Sequence, residues 1–196
     1  CEVEVIYDAD AWSVGRNALR PPSLPAPVAQ PAGVTVHQLQ SRWPLASTLL
    51  THQTGRPIVQ QSAIEAILAT GFDVIHFHNI SLIGGPGVLA LGQGIKLLTI
   101  HDHWLICQNH ILWRHNRELC DRRECFKCSM AFRRPAQLWR HTPLLEHELA
   151  HVDEVIALSQ SVADRHREFG LNRQMVARGY FMPDAAGRPT EEPGAP

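Results

Sequence analysis

The sequence predicts one α/β domain, a parallel sheet with helices on both faces, and three observations carry that expectation. The length of 196 residues with 44% hydrophobic content suits a single core and not two. Short β-branched runs alternate with a stretch of helical periodicity, the pattern of strands joined by crossover helices. Polar residues gather directly after two of the strand-like runs, where open parallel sheets carry their sites.

Taken in order, Glu2 to Tyr7 reads Glu-Val-Glu-Val-Ile-Tyr, a period of two that predicts a first strand with one buried face. Pro21, Pro22, Pro25, Pro27 and Pro31 remove backbone donors between Arg20 and Gly33, so an extended surface loop is expected there. Val34 to Leu39 resumes strand character. Pro57 at a first-turn position opens a run with Ile58, Ala63, Ile64, Ile67 and Leu68 at helical spacing, closed by Gly71. Asp73 to His78 and Ile95 to Ile100 are short and mostly apolar, as strands covered on both faces are. The glycine-rich segment from Leu82 to Gly94 leaves room for a short helix. Glu154 to Leu158 predicts a further strand, and Ser159 caps a helix over Ser161 to Phe169 that Gly170 stops. The domain is expected over 1–183. The tail 184–196 has almost nothing to bury and is expected to be disordered.

Eighteen basic and nineteen acidic residues give a formal charge of −1, which excludes steering by the whole-molecule field onto nucleic acid. No apolar run reaches the roughly 18 residues needed to span a bilayer, and no export signal is visible, so a soluble, cytoplasmic protein is expected. In that compartment the five cysteines are expected as thiols. The start at Cys1, inside a strand-like run, reads as a truncated first strand region.

Two strand ends concentrate polar chemistry. In Phe72-Asp-Val-Ile-His-Phe-His-Asn-Ile-Ser, His76 and His78 share one face and His78 and Asn79 emerge at the edge. In Leu98-Thr-Ile-His-Asp-His-Trp, His101, Asp102 and His103 leave the next strand. A single strand-end histidine is commonly a structural hydrogen-bonder, but two polar ends converging on one rim point to a site.

These two stretches, with Glu118-Leu-Cys, the cysteine cluster, Asp153-Glu-Val-Ile-Ala-Leu-Ser and Tyr180-Phe-Met-Pro, resemble the amino-terminal domain of the family 4 glycosyltransferases, in order, over residues 34 to 183. The resemblance implies a Rossmann-like half of a two-domain GT-B enzyme. In that architecture this half lies over the acceptor, the other grips a nucleotide-sugar donor, and transfer retains the anomeric configuration. It further implies that His101 is the active-site histidine contacting the donor sugar, with Asp102 beside it as a catalytic candidate. His78, Asn79 and His103 would line the acceptor-binding rim.

Two parts of the family pattern are not seen. A first strand with a glycine-rich loop has no counterpart before Glu2, and Gly84-Gly85 follows a later strand. The carboxyl-terminal domain, whose paired glutamates and basic residues hold the nucleotide and offset charge on the leaving diphosphate, has no counterpart either. The fragment by itself is therefore expected to be inactive.

Within an expected insertion at 103–142, Cys107, Cys120, Cys125 and Cys128 follow the spacing C-x12-C-x4-C-x2-C. Thiolates so close in sequence suit structural zinc, bound tetrahedrally at about 2.3 Å, and four of them would leave no open position for a catalytic metal. An iron–sulfur pattern fits less well because its fourth cysteine would lie upstream. Reduced cysteines packed as small hydrophobes are the alternative. Arg114, Arg117, Arg122, Arg123, Lys127, Arg133, Arg134 and Arg140 interleave with Trp104, Trp113, Phe126, Phe132 and Trp139. That patch suits a phosphorylated or lipid-linked acceptor and peripheral contact at the inner face of the membrane, or equally a solvated face balanced by Glu118, Asp121 and Glu124.

Two other functions stay open. A metal-dependent hydrolase could use His76, His78, His101, Asp102 and His103, although Ile80 stands where a ligand following the first two histidines is expected. A non-catalytic binding domain is the other.

Overall fold

The computed structural model describes residues 2–11, 30 and 32–180. Most of the proline-rich loop and the tail 184–196 lie outside these residues. A first parallel pair is formed by β1 (Val3–Asp8) and β2 (Val34–Leu39), in register from Val3 opposite Val34 to Asp8 opposite Leu39. Then come α1 (Pro44–Thr54) and α2 (Gln61–Leu68), β3 (Val74–His78), a 3-10 turn (Gly85–Ala90) and β4 (Ile95–Ile100). The segment between β4 and β7 holds a small antiparallel ladder of β5 (Trp113–Arg114) and β6 (Glu118–Leu119), then α3 (Cys125–Ala131), a second 3-10 turn (Leu138–His141) and α4 (Leu144–Leu149). It is closed by β7 (Glu154–Ala157), α5 (Gln160–Glu168) and β8 (Met175–Ala177).

The main sheet has the order β3-β4-β7-β8 and every pairing in it is parallel. Its centre is apolar for the expected reason: Leu98, Ile100, Val155 and Ala157 on β4 and β7 are buried, with Ile64 and Leu68 of α2 and Ala163 of α5 packed in the same core. Ser159 caps α5 as its sequence predicts, its hydroxyl accepting from the Val162 N–H at 3.2 Å. β3 departs from the expectation of two covered faces. Only Phe77 in it is buried, because a cavity of about 610 Å³ runs beside it. All five residues of β3, with Glu4, Ile6, Tyr7 and Asp8 of β1, line that cavity. Since successive strand residues point to opposite faces, lining by all of them means that the cavity follows the strand edges. Among the described residues the two sheets share no ladder.

The pair Gly84-Gly85 has a packing role. The Gly87 N–H donates to the Gly55 carbonyl at 2.7 Å, and a Cβ on Gly85 would stand 2.9 Å from the Gly55 backbone. Gly55 itself, at φ 67°, ends α1 in the left-handed conformation. No helix among the described residues is long and apolar enough to cross a membrane.

Candidate functional site

The register of β3 on β4 sets His78 opposite Thr99, so His101, two residues beyond Thr99, emerges beside it at the carboxyl end of the sheet. His78 Nδ1 and His101 Nε2 are 2.7 Å apart. His76, two residues back on the same face, has its ring centroid 4.0 Å from that of His78 and its Nε2 2.7 Å from Thr99 Oγ1. On the far side His101 Nδ1 meets the Tyr180 hydroxyl at 3.1 Å. The result is a continuous polar file, Thr99, His76, His78, His101, Tyr180. Burial, and then the neighbouring imidazoles, push His76 and His78 below the ordinary histidine value. Neutral rings are therefore favoured at physiological pH, able both to donate and to accept.

The file borders the large cavity, into which Asp8, His76, His78 and Asn79 face from the ends of β1 and β3. Asp8 stands at the carboxyl end of β1. Burial drives its carboxyl up to about 6, with Asp10 adding to the rise while the Asp10 N–H opposes it. Asn79 has a left-handed backbone at φ 44°, which turns the chain sharply off β3 and places it at the edges of both this cavity and the crevice beneath His101. A second cavity of about 300 Å³ lies between α1 and the segment after β4. Asp8, His52, His110, Arg134 and Trp104 are among its walls.

Asp102 and His103 leave β4 with His101 but engage other partners. Asp102 accepts the Trp104 N–H at 2.7 Å and lies 2.7 Å from His110 Nδ1. Burial works to raise its carboxyl, yet those two hydrogen bonds hold it below the usual carboxylate range. The His103 ring packs 5.4 Å from His166 of α5, and it lines neither of the two large cavities. The five residues of the hydrolase alternative do not bring three ligand atoms within 4.8 Å of one another. Among the described residues His147, Glu148 and His151 do.

Cys107, Cys120, Cys125 and Cys128 line one void of about 20 Å³. Cys128 Sγ accepts from the His115 backbone N–H at 3.4 Å and from Asn109 Nδ2 at 3.5 Å. No three of the sulfurs lie within 4.8 Å of one another. Beside them Arg140 stacks between Trp104 and Trp139, at 4.9 and 4.4 Å from the ring centroids, and donates to the carbonyls of Trp104 and Leu105. Burial lowers it to about 10, with the thiols of Cys107 and Cys125 working the other way. The expected cationic patch is thus partly internal. Arg114 pairs with Glu118 and Asp121, Arg122 with Glu124, and Arg123 donates to the Phe169 carbonyl.

Sequence reasoning missed Asp8 and Tyr180. Asp8 follows directly on the first strand-like run, so the strand-end rule that found His78 and His101 could have found it. Tyr180 enters the sequence only as the first residue of the family-like stretch Tyr180-Phe-Met-Pro, and nothing in that stretch says that it meets His101, 79 residues earlier.

The model of the glycosyl transferase 4-like domain matches residues 1–178. No curated protein and no solved structure matches the chain significantly. With a parallel α/β sheet, a polar file at the carboxyl ends of its strands and a family match over nearly its whole length, the chain belongs to the glycosyl transferase 4-like domain family.

Proposed function

We propose that this domain is the acceptor-side half of a retaining glycosyltransferase that uses a nucleotide-sugar donor, with His101 contacting the donor sugar across the cleft. The observation that carries the reading is the file His78, His101, Tyr180 at the strand ends, since it presents an imidazole held by hydrogen bonds on both ring nitrogens where a sugar hydroxyl has to be positioned. His78 and Asn79 line the adjoining rim. Asp102 acts behind the rim by holding His110 and the start of the following segment. The cavity of about 300 Å³ walled by His110 and Arg134 is the acceptor site, and Arg134 supplies a cation for a phosphorylated head group. Phe126, Met130 and Leu138 are exposed on the same segment, which suits a lipid-linked acceptor reached at the cytoplasmic membrane surface.

The test is His101→Ala in the enzyme assembled with a donor-binding domain. The expected result is a fall in kcat of about 100-fold, with an unfolding midpoint like that of the parent, because a rim side chain contributes positioning and little packing. Unchanged kcat would remove His101 from the reaction.

The four thiols are proposed as a structural zinc site. The four thiols line one void and two N–H groups point at Cys128 Sγ, as at sulfurs that ligate a metal, and binding has to draw the sulfurs together, releasing protons as it does. Metal analysis after purification without chelator is expected to find about one zinc per chain held by these cysteines, and Cys125→Ser is expected to lose it.

A further inference from the structure

His147, Glu148 and His151 form a second group of metal-ligand type, far from the strand ends that carry the histidine file. They sit on α4 and the turn that follows it, just before the amino end of β7. At that end of the sheet the Asp153 N–H donates to the Lys96 carbonyl. One nitrogen from each histidine and one oxygen from Glu148 lie within 4.8 Å of one another. The rings of His147 and His151 meet edge to face at 5.9 Å, as expected of residues four apart on one side of a helical turn.

Glu148 makes this more than a chance surface grouping. Its side chain is 1% exposed, while both histidines are exposed, so it forms the floor of the group. Arg56 grips Glu148 Oε1 at 2.7 Å, whereas Glu148 Oε2 is buried and has no hydrogen-bond partner. Oε1 also lies 3.6 Å from His147 Nδ1, so a cation among the three side chains would meet a buried carboxylate whose second oxygen has no donor, a costly state that added positive charge relieves. An outer guanidinium orienting a ligating carboxylate is a recurrent arrangement around bound metals.

We propose that His147, Glu148 and His151 bind a divalent transition metal of the zinc class, with two imidazoles and one carboxylate as ligands and water completing the shell. The order His-Glu-x-x-His is also that of zinc peptidases, where the glutamate is a general base and a third ligand comes from elsewhere. Here Arg56 occupies the carboxylate and the glutamate faces inward, so it serves as ligand and anchor. Through Glu148 and Arg56 the ion ties α4 to the turn after α1. The inference is independent of the transferase reading.

Cobalt(II) titration of the full chain separates this site from the cysteine void, because thiolate ligands add an intense charge-transfer absorption that imidazole and carboxylate lack. The expected result is one cobalt ion taken up without that absorption, displaced by zinc. Affinity for this ion is expected to fall by more than about 10-fold in His147→Ala and again in His151→Ala. Both positions are exposed, so neither change endangers folding. Equal cobalt affinity in the parent and both variants overturns the proposal, and so does binding that carries the thiolate absorption alone.

Discussion

His78 Nδ1 lies 2.7 Å from His101 Nε2, and a charge on His78 is opposed by burial first and then by the imidazoles of His76 and His101. The same direction holds for His103 and His166, each pushed down chiefly by burial. A histidine whose folded value lies below 6.5 binds fewer protons in the native state than in the unfolded chain between those two values. Stability therefore rises with pH through that window and is lost as pH falls below about 6.5. Asp8 works in the opposite sense. Its native carboxyl, near 6 against an ordinary 3.8, keeps a proton that the unfolded chain gives up, so its contribution to stability declines as pH climbs from 3.8 to 6 and stays lost above. Asp8→Asn is expected to raise the denaturation midpoint at neutral pH and to remove this opposing slope, steepening the acid loss caused by the histidines. Urea unfolding of parent and variant at several pH values between 4 and 8 checks it. Identical pH profiles would return Asp8 to an ordinary solvated carboxylate.

Elements were legible where apolar periodicity and punctuation agreed. β2 and β4 fall at their expected bounds, and α5 begins at its expected cap, because each joins a clear apolar pattern to a stop signal. α1 was not anticipated, although Pro44 opens it and Gly55 closes it. Its buried residue is Ser47 while Leu45, Leu49 and Leu50 are exposed, so hydrophobic periodicity points away from the face that packs. β8 was missed for its length of three residues. The candidate site was legible as strand ends, which place His78 and His101 together. The inward turn of His103 was not, because it depends on His166 some sixty positions later. The glycines give an element-scale prediction. Gly71 and Gly85 both have positive φ, yet nothing lies within 4 Å of a Cβ on Gly71, whereas one on Gly85 meets the Gly55 backbone at 2.9 Å. Gly71→Ala is expected to cost about 1 kcal/mol from conformation alone. Gly85→Ala is expected to cost about 2 kcal/mol more, since two backbones have to separate. Chemical denaturation of the two variants measures the difference, and equal losses would mean that the 3-10 turn shifts without penalty.

At the scale of the whole molecule, the large cavity divides the described sheet strands into unequal parts. β4 and β7 have hydrogen-bonded neighbours on both sides and carry the most buried side chains of the sheet. β1 has one neighbour, β2, and exposes Val3, Val5 and Tyr7. Asp10 still ties the end of this pair to the body, accepting from the Ser41 N–H at 2.9 Å and from Gln60 Nε2 at 2.8 Å. Opening the β1–β2 ladder therefore breaks few apolar contacts, while opening β4 disrupts the core. Amide protons of the two parts are expected to report different free energies in deuterium exchange. Those on β4 and β7 should exchange only through global unfolding, with strong dependence on denaturant. Those on β1 and β2 should exchange through a local event that added urea scarcely accelerates, so that one chain shows two distinct clocks.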